Sequence, residues 1–182
     1  MNLEKIRSLL SSEINPILTN SNNHKLASIL VVIYGESPLV LMTEKPKHMK
    51  FHAGEISFPG GKLDSTDFDL LETALRETSE EIGLTIRKDQ VIGQLNPVIT
   101  LNSGFLILPF VCVVDAIPSL SPNAEVKTIF HIPLESFLNT MKNDPDPNHN
   151  LIQEMYTFEF QGKIVWGASA RVLKQISDCL KS

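Results

Sequence analysis

Gly60-Gly61-Lys62-Leu63-Asp64-Ser65-Thr66-Asp67 leads, past Leu70-Leu71 and Ala74-Leu75, into Arg76-Glu77-Thr78-Ser79-Glu80-Glu81-Ile82-Gly83-Leu84. The second half has helical period and predicts a helix from about Phe68 to Ile82, with Gly83 as its C-cap. At ~100° per residue, Leu71, Ala74, Leu75, Thr78 and Ile82 share a mostly apolar face directed to a core. Arg76, Glu80, Glu77 and Glu81 follow one another around the other side, so three carboxylates lie within reach of a common ion. Like charges three and four residues apart repel, and acids in a last turn oppose the helix dipole. Arg76, four residues before Glu80, is the local compensation. Such a conflict suggests a functional site, and a hard divalent cation, Mg²⁺ or Mn²⁺, relieves it with oxygen ligands. The plain alternative is a solvated charged face. The upstream glycine pair weighs against it, because glycine lets backbone approach a ligand closely.

The charge of the whole chain points to the same stretch. Its 182 residues carry 16 Lys and Arg against 21 Asp and Glu, a formal net charge of −5. Seven of those acids lie between Gly61 and Gly83 with only Lys62 and Arg76 beside them, and elsewhere 14 acids meet 14 bases. The excess is entirely local. With 42% hydrophobic and 20% charged residues, the composition suits one globular domain with a real core. Mild acidity argues against broad binding to nucleic acid or to an anionic membrane. Cys112, in an apolar run, and Cys179 read as reduced structural thiols. No signal-like segment and no apolar run of ~18–20 residues is present, so a cytoplasmic protein is expected.

Outward from the acidic helix, the pattern gives a mixed α/β order. Leu3, Ile6, Leu9, Leu10 and Ile14 predict an N-terminal helix ended by Asn15-Pro16. A polar link follows up to residue 25, and this first segment reads as an appendage to a main domain over 26–182. Ala27–Tyr34, Leu39–Thr43, Glu55–Phe58, Val91–Thr100 and Phe105–Ala116 read as strands, with Glu125–His131 extended. Pro133 opens a short helix to about Met141, and residues 143–148 form a loop. Glu154–Phe160 and Lys163–Trp166 flank Gln161-Gly162 as a hairpin, and a last helix spans 168–181. A mixed sheet with helices on both faces is the expected architecture.

The quoted stretch resembles the Nudix box, Gly-x5-Glu-x7-Arg-Glu-U-x-Glu-Glu-x-Gly-U with U apolar. Three departures stand out: Asp67 replaces the first Glu, the spacer to Arg76 is one residue longer, and Thr78 replaces the first U. The first two resemble the coenzyme A diphosphatase subgroup, whose box carries Gly-Gly-x-x-Asp-x-x-Asp and Ala-Leu-Arg-Glu. Its upstream element has a counterpart in Leu41-Met42-Thr43-Glu44-Lys45-Pro46 and Lys50-Phe51-His52-Ala53-Gly54 through Phe58-Pro59-Gly60-Gly61. Its Trp-Gly-x-Thr-Ala segment has one in Trp166-Gly167-Ala168-Ser169-Ala170. Lys45 and Lys50 stand where arginine is usual, keeping the charge but losing the planar fork.

The resemblance implies a Nudix fold, an α/β/α sandwich, and hydrolysis of a nucleoside diphosphate linkage with Mg²⁺ or Mn²⁺. It places Glu77, Glu80 and Glu81 on the metal, Arg76 as their orienting partner, and Gly60 and Gly61 near metal and phosphates. Lys45, Lys50 and His52 are candidates to contact phosphates, though each alone reads as a surface residue. Glu125 is the first candidate for the general base, its alternative being a surface glutamate at a loop end. Trp166 either packs beneath the substrate or seals the hairpin. Coenzyme A, or an acyl derivative, is the implied substrate, giving 3′,5′-ADP and 4′-phosphopantetheine. ADP-ribose, dinucleotides and nucleoside triphosphates are the alternatives, and a non-catalytic nucleotide-binding module is the reading from another class. A homodimer is admitted but not required by anything in the sequence.

Overall fold

The apolar run around Leu30 becomes the axis of the molecule. The computed structural model describes residues 1–18, 24–48, 53–101, 103–146 and 155–182. Chain order is α1 (Leu3–Leu10), β1 (Lys25–Tyr34), β2 (Leu39–Glu44), β3 (Ile56–Ser57), β4 (Gly60–Lys62), α2 (Leu70–Ile82), β5 (Val91–Gln94), β6 (Val98–Ile99), β7 (Phe105–Val114), β8 (Thr128–Pro133), α3 (Leu134–Leu138), β9 (Lys142–Asn143), β10 (Tyr156–Phe160), β11 (Lys163–Val165) and α4 (Gly167–Lys181). Eight of the strands form one mixed sheet. β1 runs parallel to β7, from Lys25 opposite Phe105 to Tyr34 opposite Val114. Its other edge pairs antiparallel with β2 and with β4, where Ser28 faces Gly61. β8 and β3 extend the sheet from β2, while β5 and β6 extend it from β7.

Alternation along β1 sorts its side chains between two layers. Leu30 and Val32 pack with Leu71, Ala74 and Ile82 of α2. Val31 and Ile33 pack on the opposite face with Ile6 and Leu10 of α1 and Leu173 and Ile176 of α4. Each such side chain contributes roughly 1.5–3 kcal/mol by leaving water. Helices therefore cover both faces of the sheet, which is the expected α/β/α sandwich.

Several boundaries differ from expectation, each for a local reason. α1 stops at Leu10 instead of Ile14, because Ser12 leaves the helix to dress the edge of β5. Its N–H donates to the Ile92 carbonyl at 3.2 Å, and its hydroxyl donates to the Gln94 carbonyl at 2.9 Å. Gly93 permits this approach, since a Cβ there would sit 2.5 Å from the Leu10 carbonyl oxygen. With Ile6 fully buried, α1 is part of the core and not the appendage its polar link suggested.

The strand expected over Val91–Thr100 is split into β5 and β6 around Pro97, which has no N–H to donate. Pro109 of β7 faces that same break, its carbonyl accepting from the Leu95 N–H at 2.9 Å. The extended segment begins at Thr128, not Glu125, because the Asn123 side chain accepts from the Glu125 N–H at 2.8 Å and holds a turn. α3 ends at Leu138, short of Met141, where the Thr140 hydroxyl takes up the Phe137 carbonyl at 2.7 Å. Asn143, expected in a loop, pairs with Tyr156, and Lys142 before it pairs with Thr157. Gly60–Lys62, just beyond the expected Glu55–Phe58 strand, is the strand β4. The hairpin turns at Gln161-Gly162 with φ of 51° and 74°, as two-residue hairpins demand. Among the described residues no helix is long and apolar enough to cross a membrane.

Candidate active site

α2 starts where Asp69 caps it, the side chain accepting from the Glu72 N–H at 2.8 Å, and ends on Gly83 at φ 70°. Its buried face includes Thr78, whose hydroxyl donates to the Ala74 carbonyl at 2.7 Å. That internal hydrogen bond is how a polar residue occupies an apolar position of the motif. β4 lies against this helix; its first position requires glycine, and glycine at the second leaves space for a side chain of α2. A Cβ on Gly61 would stand 2.4 Å from Glu77 Cδ, and one on Gly60, at φ 148°, would stand 2.3 Å from the Ser28 carbonyl oxygen. The missing side chain of Gly61 is the room that the Glu77 carboxylate fills.

Arg76 braces the acids. Its Nε and Nη2 grip Asp67 Oδ1 and Oδ2 at 2.8 and 2.9 Å in a two-pronged fork. The same guanidinium reaches Glu77 Oε1 and Glu80 Oε2, each at 3.0 Å. Those Arg76 hydrogen bonds hold the almost fully buried Asp67 carboxyl at about 2. The pairing of Arg76 with Glu80 was legible from their spacing; the stronger one with Asp67 was not.

Glu81, 4% exposed, is held differently. Its Oε2 accepts from the Gly60 N–H at 3.2 Å, and Lys45 Nζ stands 3.7 Å from its Oε1 and 3.7 Å from Glu125 Oε2. Burial pushes the Glu81 carboxyl up to about 7. Lys45 and the Gly60 N–H oppose that rise, and Glu77 and Glu125 add to it. Burial also raises Glu77, against the pull of Arg76. Glu80 is 56% exposed and turned to Arg76.

The structure thus brings Lys45, Gly60, Gly61, Arg76, Glu77, Glu81 and Glu125 together, with Glu80 at the margin. Lys50 and His52 lie outside the described residues. A cavity of about 300 Å³ opens beside the glycine pair. Ile29, Val98, Phe105 and Ile107 of the sheet form its floor, and Trp166 with the first turn of α4 forms a wall. Among the described residues no three acidic or imidazole side chains are gathered tightly enough to hold an ion as they stand. The donors that are present fit a hard cation: all are carboxylate oxygens, two are desolvated, and the glycine cradle leaves the Glu77 carboxylate against the backbone.

Residues 24–155 match the family model of the NUDIX domain, a span that takes in β1, the glycine pair and the whole of α2. The chain belongs to the Nudix family of hydrolases. Over 165 residues it is 32% identical to the uncharacterized Nudix hydrolase NudL of Yersinia enterocolitica, covering 87% of this chain and 82% of the relative. Among solved structures it is similar to a MutT/nudix family protein from Enterococcus faecalis, with TM-score 0.62 and 12% identity over 91% of this chain and 66% of that one. A NUDIX hydrolase from Alicyclobacillus acidocaldarius gives TM-score 0.57 and 20% identity, covering 88% and 94%. At those identities the likeness to both structures is one of fold.

Proposed function

We propose that this Nudix hydrolase cleaves the diphosphate linkage of coenzyme A or its acyl derivatives in the cytoplasm, with Mg²⁺ or Mn²⁺, releasing 3′,5′-ADP and 4′-phosphopantetheine. The observation that carries the chemistry is the pair of desolvated carboxylates, Glu77 and Glu81, beside a glycine strand at the edge of a cavity. Glu77, Glu80 and Glu81 are the residues that would hold the metal. When bound, the metal neutralises the linkage and acidifies an attacking water. Arg76 keeps Glu77 and Glu80 fixed through separate nitrogens, with Asp67 as its anchor. Lys45 sits between Glu81 and Glu125 and meets the phosphates as a point charge, joined by Lys50 and His52 in the resemblance. Glu125, half exposed beside Lys45, is the proposed base that takes the proton of the water at a carboxylate oxygen. The largely apolar floor of the cavity suits an uncharged part of the substrate next to the linkage.

The test incubates the purified protein with Mg²⁺ or Mn²⁺ and coenzyme A, acyl derivatives, ADP-ribose and NADH, separating products by chromatography. Coenzyme A is expected to be cleaved fastest, with activity abolished by chelation. Faster cleavage of ADP-ribose would replace the substrate while leaving the chemistry. Thermal stabilisation by nucleotides without any turnover would favour a binding module.

A further inference from the structure

At the end of the cavity away from Glu81, two lysines share one aromatic ring. Lys25 Nζ lies 5.7 Å and Lys62 Nζ 5.6 Å from the centroid of Phe105. The sheet puts them there. Lys25 is opposite Phe105 across the β1–β7 pair, and Lys62 is opposite Ala27, two residues along β1 on the same face. Phe105 and Lys62 line the cavity, with the hydroxyl-bearing Thr100 and Ser103 beside them.

Charge pairing separates these lysines from the others around the site. Lys45 is engaged by Glu81 and Glu125, and Lys127 and Lys163 are engaged by Glu44. Among the described residues, neither Lys25 nor Lys62 pairs with a carboxylate. The ring face attracts each ammonium group and offsets part of their mutual repulsion. What it leaves is two ammonium groups on one ring at the rim of a cavity, neither engaged by a carboxylate among the described residues.

Position decides what they are for. Gly60 faces Ile29; from Ile29 to Lys25 is four residues of strand, roughly 13 Å at ~3.3 Å per residue, and Lys62 lies two residues from Gly60, roughly 7 Å on the same scale. With the linkage at the Gly60 end, the shared ring of Phe105 draws both ammonium groups toward the far side of the cavity. We infer that Lys25 and Lys62 form a second anion subsite, taking a phosphate monoester on the nucleoside part of the substrate, with Phe105 as the apolar floor between them. The identity of the nucleotide rests on the proposed function: coenzyme A carries such a monoester as its 3′-phosphate, and ADP-ribose has none. The subsite is therefore a specificity device, selecting among substrates that share one linkage.

Calorimetric titration of the full chain with 3′,5′-ADP and with 5′-AMP, at fixed Mg²⁺, isolates that monoester. The wild-type protein is expected to bind 3′,5′-ADP about tenfold more tightly at low salt, as two exposed charge contacts allow. In the Lys25→Met/Lys62→Met variant the two nucleotides should bind alike. Both lysines are exposed, so the melting temperature of the double variant should match wild type. Equal binding by wild type, no detectable binding of 3′,5′-ADP, or a preference that survives the double substitution would each overturn the subsite. Failure of the substrate reading looks different. A protein that prefers 3′,5′-ADP yet leaves coenzyme A intact keeps the subsite and loses the substrate. One that cleaves coenzyme A and its 3′-dephospho form with equal KM does the reverse.

Discussion

Glu44 and Glu81 are buried almost equally, at 2% and 4% exposure, yet their acidities move in opposite directions. Burial pushes both carboxyls up. At Glu44 that push is outweighed by hydrogen bonds from Lys163 Nζ at 3.0 Å and Lys127 Nζ at 3.1 Å, which hold it below the usual carboxylate range. At Glu81 the cation is Lys45, at 3.7 Å and shared with Glu125, while Glu77 repels. There burial wins. Solvent exposure alone does not predict the outcome: close cations outweigh desolvation at Glu44, and a heavier desolvation at Glu81 meets one shared, more distant cation. Glu44 is a completed joint between β2, the segment entering β8 and the β10–β11 hairpin; Glu81 is left one cation short, in keeping with the metal role proposed for it.

Removing the charge at Glu81 is the sharpest way to test that contrast. Glu81→Gln keeps an acceptor for the Gly60 N–H, so turnover should fall on the order of 10²–10⁴-fold while the melting temperature holds or rises. Unchanged turnover, measured with saturating Mg²⁺, would refute the role. Turning Glu44 into a second Glu81 is the converse. Lys127→Met with Lys163→Met strands a buried carboxylate, and urea unfolding should show a loss of about 3–5 kcal/mol. Adding Glu44→Gln should recover most of it, and a triple variant no more stable than the double would break the comparison.

The smallest effect is the pH dependence of the metal-free protein. Folded Glu81 keeps a proton up to about 7, whereas the unfolded chain releases it near the ordinary 4.5. The folded state therefore binds more protons in that window, and stability falls as pH rises through it, by about 3 kcal/mol in all. Glu44 has the opposite sign: with its acidity strengthened, it contributes stability at neutral pH that is lost as pH drops through its lowered pKa. Chemical denaturation at stepped pH should show the first slope in wild type and a shallower one in Glu81→Gln, where the raised Glu77 carboxyl remains.

The acidic site was readable because helical spacing is a local property. Arg76, Glu77, Glu80 and Glu81 needed only the period of one helix, and Gly60 and Gly61 only their adjacency. Asp67 was not read as the main partner of Arg76, because its carboxylate returns through a loop whose path the whole domain sets. Glu44 lay just past the expected Leu39–Thr43 strand with no partner in view, since Lys127 and Lys163 reach it from the segment entering β8 and from β11. The early end of α1 likewise depends on a tertiary contact, that of Ser12 with β5. Pro97 was a signal in plain view: a residue without an N–H divides a strand, and its effect on Val91–Thr100 was legible.

The central parallel pair also fixes an order of events in folding. β1 and β7 meet only when residues eighty positions apart come together, and everything from Lys45 to Glu81 lies in the span they enclose. On a growing chain, the acidic helix emerges while one edge of β1 is still unpaired. That edge closes when Phe105–Val114 has been made, and the wall bearing Trp166 arrives later still. Contacts of such long sequence separation form slowly, so the half of the molecule synthesised last sets the time at which the half that carries the carboxylates becomes rigid.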